Sequence, residues 1–143
     1  MKHTLKRITA IVLMLVMSAC VFGCAKNVDK TITVYNASSL FLTALELSAS
    51  EDFSDEDSTI TIFDSVNIMQ MGQSSDLVVK IPEKMLEGEL FVYVKGVDTE
   101  TYESFDRIEP IGTALNEDGW GFLIDFDKTA KEFIVTVLDD SDI

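Results

Sequence analysis

The run Leu90-Phe91-Val92-Tyr93-Val94-Lys95-Gly96-Val97 decides the fold. In an extended chain Leu90, Val92 and Val94 fall on one side and Phe91 and Tyr93 on the other, a period of two with both faces apolar. A strand of that kind belongs in the middle of a sheet. Working outward, the same period recurs with one apolar face. Residues 31–36 place Ile32 and Val34 together, and residues 59–64 do so with Ile60 and Ile62. Residues 76–81 offer Leu77, Val79 and Ile81 and stop at Pro82, which has no amide to give a ladder. Phe122, Ile124 and Phe126 alternate with Asp125 and Asp127, and Phe133, Val135 and Val137 close the series. Residues 98–100 and 128–131 read as turns. Residues 40–49 admit two readings. Leu45, Glu46, Leu47 and Ser48 alternate as a strand does, while apolar positions 40, 41, 44 and 45 also suit a helix capped by Ser38 or Ser39. The strand reading is adopted.

Seven or eight short strands with polar turns about every ten residues predict an all-β fold, a small antiparallel β-sandwich of immunoglobulin-like kind. The Cys, Trp, Cys arrangement of antibody domains is absent, so only the architecture is inferred. A chain of 143 residues holds one such domain. It is strongly acidic. Lys2, Lys6 and Arg7 are the only charges in the first 23 residues, which leaves eight bases against 25 acids in residues 24–143, a net charge of −17. Nucleic acid is excluded as a partner, because neutralising phosphate needs a basic face.

The N-terminus is basic from Met1 to Arg7, apolar from Ile8 to Met17, and then small at Ser18 and Ala19, the order of a secretory signal helix. An uncleaved membrane anchor is the alternative. Two cysteines follow small residues at the expected cut, in Met17-Ser18-Ala19-Cys20 and Val21-Phe22-Gly23-Cys24. Here the chain resembles bacterial lipoproteins, whose lipobox ends in cysteine; the first site departs from the family preference at Met17 and the second at Phe22. The resemblance implies a diacylglycerol thioether on Cys24 or on Cys20, cleavage just before it, and a protein tethered to the extracytoplasmic face of a bacterial cell membrane. Two acyl chains make such an anchor durable. A lone Cys24 thiol in an oxidising compartment would be a liability, which favours Cys24. The expected division is a signal over 1–23, a short tether over 24–30, the sandwich over 31–139 and an acidic tail over 140–143.

The only histidine is His3, inside the signal, so the mature chain has none. That removes Ser-His-Asp and Cys-His nucleophile systems and the H-E-x-x-H zinc helix. No S-x-x-K, G-x-S-x-G or Walker sequence occurs. Carboxylate chemistry on a glycan survives as a minor alternative. The favoured expectation is a non-catalytic binding module for an envelope protein or glycan, with no obligatory cofactor.

Three features are candidates for binding. Glu51, Asp52, Asp55, Glu56 and Asp57 put five carboxylates into seven residues, a set of oxygens that suits Ca²⁺ in an adhesive or scaffolding domain. The bland alternative is a solvated, self-repelling loop. Trp120, read as a loop residue between Gly119 and Gly121 with Asn116 and Asp118 near it, offers a ring for a sugar or a protein; the alternative is a core aromatic, the commoner place for a large ring in a small domain. Met69 and Met71, around an expected turn at Gly72, read as core-edge or interface residues. Asn36-Ala37-Ser38 matches a glycosylation sequon, which a bacterial lipoprotein rarely carries modified.

Overall fold

The computed structural model describes residues 26–112 and 120–138. Eight strands carry the described chain: β1 (Asn27–Asn36), β2 (Phe41–Ser48), β3 (Thr59–Phe63), β4 (Ser74–Pro82), β5 (Leu90–Val97), β6 (Ser104–Gly112), β7 (Trp120–Asp127) and β8 (Glu132–Leu138). They form two four-stranded sheets, β4-β1-β7-β8 and β3-β2-β5-β6. This is the β-sandwich the alternation predicts, with β5 at an inner position. Five of the six strand pairings among the described residues are antiparallel; β1 and β7 run parallel, with Ile32 opposite Trp120 and Val34 opposite Phe122.

The core lies between the sheets because the alternating apolar residues all turn inward. Ile32, Val34, Leu45, Leu47, Val92, Val94, Phe122, Ile124 and Phe133 are fully buried. Residues 40–49 resolve as a strand. The strand's alternation is interrupted locally: the register shifts between Leu42 and Ala44, so Leu42 and Leu45, three apart, both point inward. An extra residue in one strand shifts the phase of alternation in this way.

Three boundaries differ from the expectation. β1 begins at Asn27, so four residues assigned to the tether are ladder, paired with β4 from Asn27 opposite Pro82 to Lys30 opposite Val79. Lys30 occupies an inward position and is buried, and a lysine there breaks the apolar alternation. Only Ala25 and Lys26 separate Cys24 from the fold, about 10 Å of extended chain. β6 went unread because its inward positions are Phe105, Arg107, Glu109 and Ile111, half of them charged. Trp120 is not a loop residue; its backbone opens β7 opposite Ile32.

Gly96 on β5 is inward-facing and leaves room for a ring from the opposite sheet. A Cβ there would stand 2.9 Å from Phe133 Cζ and 3.0 Å from the Phe41 carbonyl oxygen. The carbonyl belongs to the backbone of a paired strand and cannot yield cheaply. Gly96→Ala is expected to destabilise by about 1–3 kcal/mol, the range for overpacking. Urea denaturation would show it as a lower midpoint at unchanged slope.

The sandwich is closed along one side and open along the other. On the closed side Phe105 of β6 packs against Phe126 of β7 at 4.9 Å, and Phe126 against Phe133 of β8 at 5.2 Å. Arg107 spans the sheets there: its Nη1 donates to the Phe133 carbonyl at 2.8 Å and to Glu132 at 3.2 Å. Its Nε lies 3.8 Å from Glu109 Oε2, a buried oxygen with no hydrogen-bond partner. On the open side the edge strands β3 and β4 face each other across a groove.

Strand directions also sort the loops to two ends. Residues 49–58 and 83–89 share the end at which β1 begins. Residues 37–40, 64–73, 98–103 and 128–131 share the opposite end.

Candidate functional site

The groove between β3 and β4 has a volume of about 280 Å³ and is lined by Ile62, Phe63, Asn67, Ile68, Met69, Gln73, Ser75 and Leu77. Its floor is apolar: Ile62, Phe63 and Met69 are buried and Leu77 half-buried, all packed on the core. Asn67, Gln73 and Ser75 supply polar groups, the mixture usual in binding clefts, although the volume suits a side chain or two better than a cofactor. Around the groove Val66 is 84% exposed, Ile68 46% and Met71 49%, and on β4 Val78 is 71% exposed.

Residues 64–73 form the upper wall and are pinned at two places. Met69 and Leu42 exchange backbone hydrogen bonds of 3.0 Å each, a single bridge onto β2. Gly72, in the left-handed region at φ 75°, donates to the Asn36 carbonyl at 2.8 Å, and the Asn36 amide donates to Gln73 at 3.0 Å. The fully buried Asn36 side chain completes the clamp. The two hydrogens of its Nδ2 are shared among three carbonyls, those of Leu40 at 2.9 Å, Gln70 at 3.1 Å and Met69 at 3.2 Å. Its Oδ1 accepts from the Ser38 amide at 3.0 Å and from the Ser38 hydroxyl. The Asn-Ala-Ser sequence is therefore a structural device, with its amide consumed inside the fold. The turn expected at Gly72 is present, Met69 is core, and Met71 is exposed.

The acidic run 51–57 lies at the other end of the sandwich, in the loop joining β2 to β3. Its five carboxylates are all exposed to solvent, and two of them, Asp52 and Asp55, are also held by neighbouring hydroxyls and amides. Asp52 accepts from the Ser50 hydroxyl, from the Ser54 hydroxyl at 2.7 Å and from the Ser54 amide at 3.1 Å. Asp55 caps the turn Glu56–Ser58, accepting from the Asp57 amide at 3.1 Å and from the Ser58 hydroxyl. Phe53, at φ 55°, lays its ring edge-on to Tyr93, 6.0 Å between centroids, and so fastens the loop to the outer face of β5. The Tyr93 hydroxyl donates to Asp106 at 3.3 Å, and its pKa is raised, chiefly by desolvation and then by Asp106 and Glu46. Among the described residues no three His, Cys, Asp or Glu side chains gather to hold a metal ion. A calcium ion here would have to displace the serine hydroxyls that Asp52 and Asp55 now hold.

These hydrogen bonds favour the ionised carboxylates. The two serine hydroxyls and the Ser54 amide lower the Asp52 pKa from 3.8 to about 2, and the Ser58 hydroxyl lowers that of Asp55. A depressed folded-state value contributes stability that is present above the unfolded value and lost as pH falls through the folded one. Titration followed by carboxyl NMR is expected to place the Asp52 midpoint near 2, and Ser50→Ala with Ser54→Ala to return it toward 3.8.

Cys20, Cys24, Asn116 and Asp118 lie outside the described residues, as does the tail 140–143. Only the backbone of Trp120 is placed, so no binding geometry is assigned to its ring. The groove was missed in the sequence because its floor is made of ordinary alternating core residues; the contiguous Val66, Ile68, Met69 and Met71 in a turn-rich segment were the available signal. Compared with family models, with curated proteins and with solved structures, the chain matches none.

Proposed function

We propose that the chain is an extracytoplasmic bacterial lipoprotein, held at the membrane by diacylglycerol on Cys24 or Cys20, whose sandwich is a non-catalytic binding module for an envelope protein or glycan. The supporting geometry is the placement of the groove relative to the start of β1. The chain enters the sandwich at one end, with Lys26 already accepting a hydrogen bond of 2.9 Å from the Glu83 amide. The 64–73 wall of the groove is at the other end. An anchor on Cys24, with only two residues between it and β1, thus presents the groove away from the bilayer. The apolar floor and the exposed Val66, Ile68 and Met71 favour a protein over a glycan, since sugars need polar partners as well as a flat ring. The sole histidine, in the signal, leaves the mature chain without the usual hydrolytic machinery.

Detergent phase partitioning of the full-length chain tests the anchor. The wild type is expected in the detergent phase and the Cys20→Ser/Cys24→Ser double variant in the aqueous phase, with the single variants identifying the acylated residue. Membrane retention of the double variant would replace the lipid with an uncleaved helix.

A further inference from the structure

The four sheet edges are not equally defended. β6 carries Pro110 and turns Arg107 and Glu109 inward, and β8 gives its Phe133 carbonyl to Arg107. β3 has only five residues. Short strands, inward charges and prolines are the devices that stop edges from pairing with other chains. β4 is nine residues long, and its Lys80 and Pro82 sit at the tether end, so Ser74 to Val79 has no proline and no inward charge, and Asp76, facing outward, is its one charged side chain. Among the described residues no strand pairs with this edge.

Its backbone phase follows from the ladder. Asn36 exchanges hydrogen bonds with Gly72 and Gln73, so by antiparallel alternation Val34–Ser75, Ile32–Leu77 and Lys30–Val79 are the bonded pairs. The amides and carbonyls of Ser74, Asp76, Val78 and Lys80 then point outward, away from β1. Beside them, the inward side chains Leu77 and Val79 are only half-buried, and Leu77 lines the groove. Unused backbone groups thus run along an unfilled apolar slot.

We propose that β4 and the groove accept an extended polypeptide segment as a fifth strand of the first sheet, its apolar side chains entering the slot and basic ones facing outward. Deepening the binding reading above, the proposal rests on the groove and not on the lipid anchor. Charge selects the occupant. From Thr59 to Val79 the chain has Asp64 and Asp76 and no lysine or arginine, within a region of net charge −17. A second copy would bring the same charge to the same edge, whereas a segment alternating basic and apolar residues complements both the slot and its rim. Main-chain bonds supply affinity in this mode and alternate side chains supply specificity.

The test uses the detergent-solubilised full-length protein and a fluorescent peptide of β4's length that alternates lysine and valine. Two twins carry the same charge, one methylated on the lysine amides and one on the valine amides. The parent peptide is expected to bind, and one twin alone to lose about tenfold or more, since each hydrogen bond removed costs roughly 0.5–1.5 kcal/mol. Loss in the lysine-methylated twin means antiparallel addition, loss in the valine-methylated twin parallel addition. Val78→Pro, tolerable on an edge strand, is expected to weaken the parent to a similar degree while leaving the melt unchanged. Equal binding by all three peptides would reduce the interaction to charge and overturn the proposal, as would no binding by the parent. Dimers of the protein that the peptide does not displace would assign the edge to a second copy and overturn it too. None of these failures touches the partitioning result, so the anchor and the strand site stand or fall separately.

Discussion

Phe133→Ala is expected to be the most damaging single substitution, lowering stability by about 3–5 kcal/mol, the range for removing a buried ring. Phe133 is fully buried, meets Phe126 at 5.2 Å in an edge contact, and projects from β8 toward the gap left by Gly96 on β5. Three costs combine: lost transfer of the ring from water, lost aromatic contact with Phe126, and a cavity that two paired strands cannot close. Against a total of about 5–15 kcal/mol for a domain this is a large fraction. Equilibrium denaturation measures it directly. The shared space makes a second variant informative. Gly96→Ala adds a methyl where the ring was, so the double variant should be less damaged than the two single effects added, a coupling that a double-mutant cycle reads. Additive costs would mean that the ring does not fill the Gly96 gap.

Asn36→Ala follows, at about 2–4 kcal/mol. The side chain's two amide hydrogens are shared among three carbonyls and its oxygen accepts twice, so about four full hydrogen bonds are at stake, each worth roughly 0.5–1.5 kcal/mol net. The loss stops short of the full sum because each carbonyl keeps another donor: Leu40 the Ser38 hydroxyl, Met69 the Leu42 amide, and Gln70 the Gln73 amide. Asn36→Asp should cost more than Asn36→Ala, since it sets a buried carboxylate oxygen against three carbonyl oxygens. Hydrogen exchange adds a local readout. The amides of Met69 and Gly72 should lose protection in both variants while those of β5 follow global stability. If aspartate were tolerated as well as alanine, the assigned orientation of the amide would be wrong.

The fold was legible wherever inward positions are apolar, as in β3, β4, β5, β7 and β8. It was obscured wherever something else took an inward position: Lys30 at the head of β1, Arg107 and Glu109 in β6, and the extra residue between Leu42 and Ala44 in β2. The candidate site was less legible for a different reason. Its floor residues, Ile62, Phe63 and Leu77, carry the same pattern as the rest of the core, and what makes them a groove is that β3 and β4 belong to different sheets. Pairing of that sort is a long-range property that no local window contains. In the acidic run, conspicuous as composition, two of the five carboxylates, Asp52 and Asp55, are bonded to serines in and beside the run, which a count of carboxylates does not show.

The parallel pairing of β1 with β7 sets an order on folding. β2 pairs with β3 across one hairpin loop, and β5 with β6 across another, so the second sheet needs only contacts close in sequence plus the β2–β5 pairing. The first sheet joins Ile32 to Trp120, 88 positions apart, and β1 cannot gain its second neighbour until nearly the whole chain is available. Distant pairings place refolding toward the millisecond-to-second end of the scale. For a chain made from its N-terminus, β1 is the first strand to emerge and among the last to be enclosed.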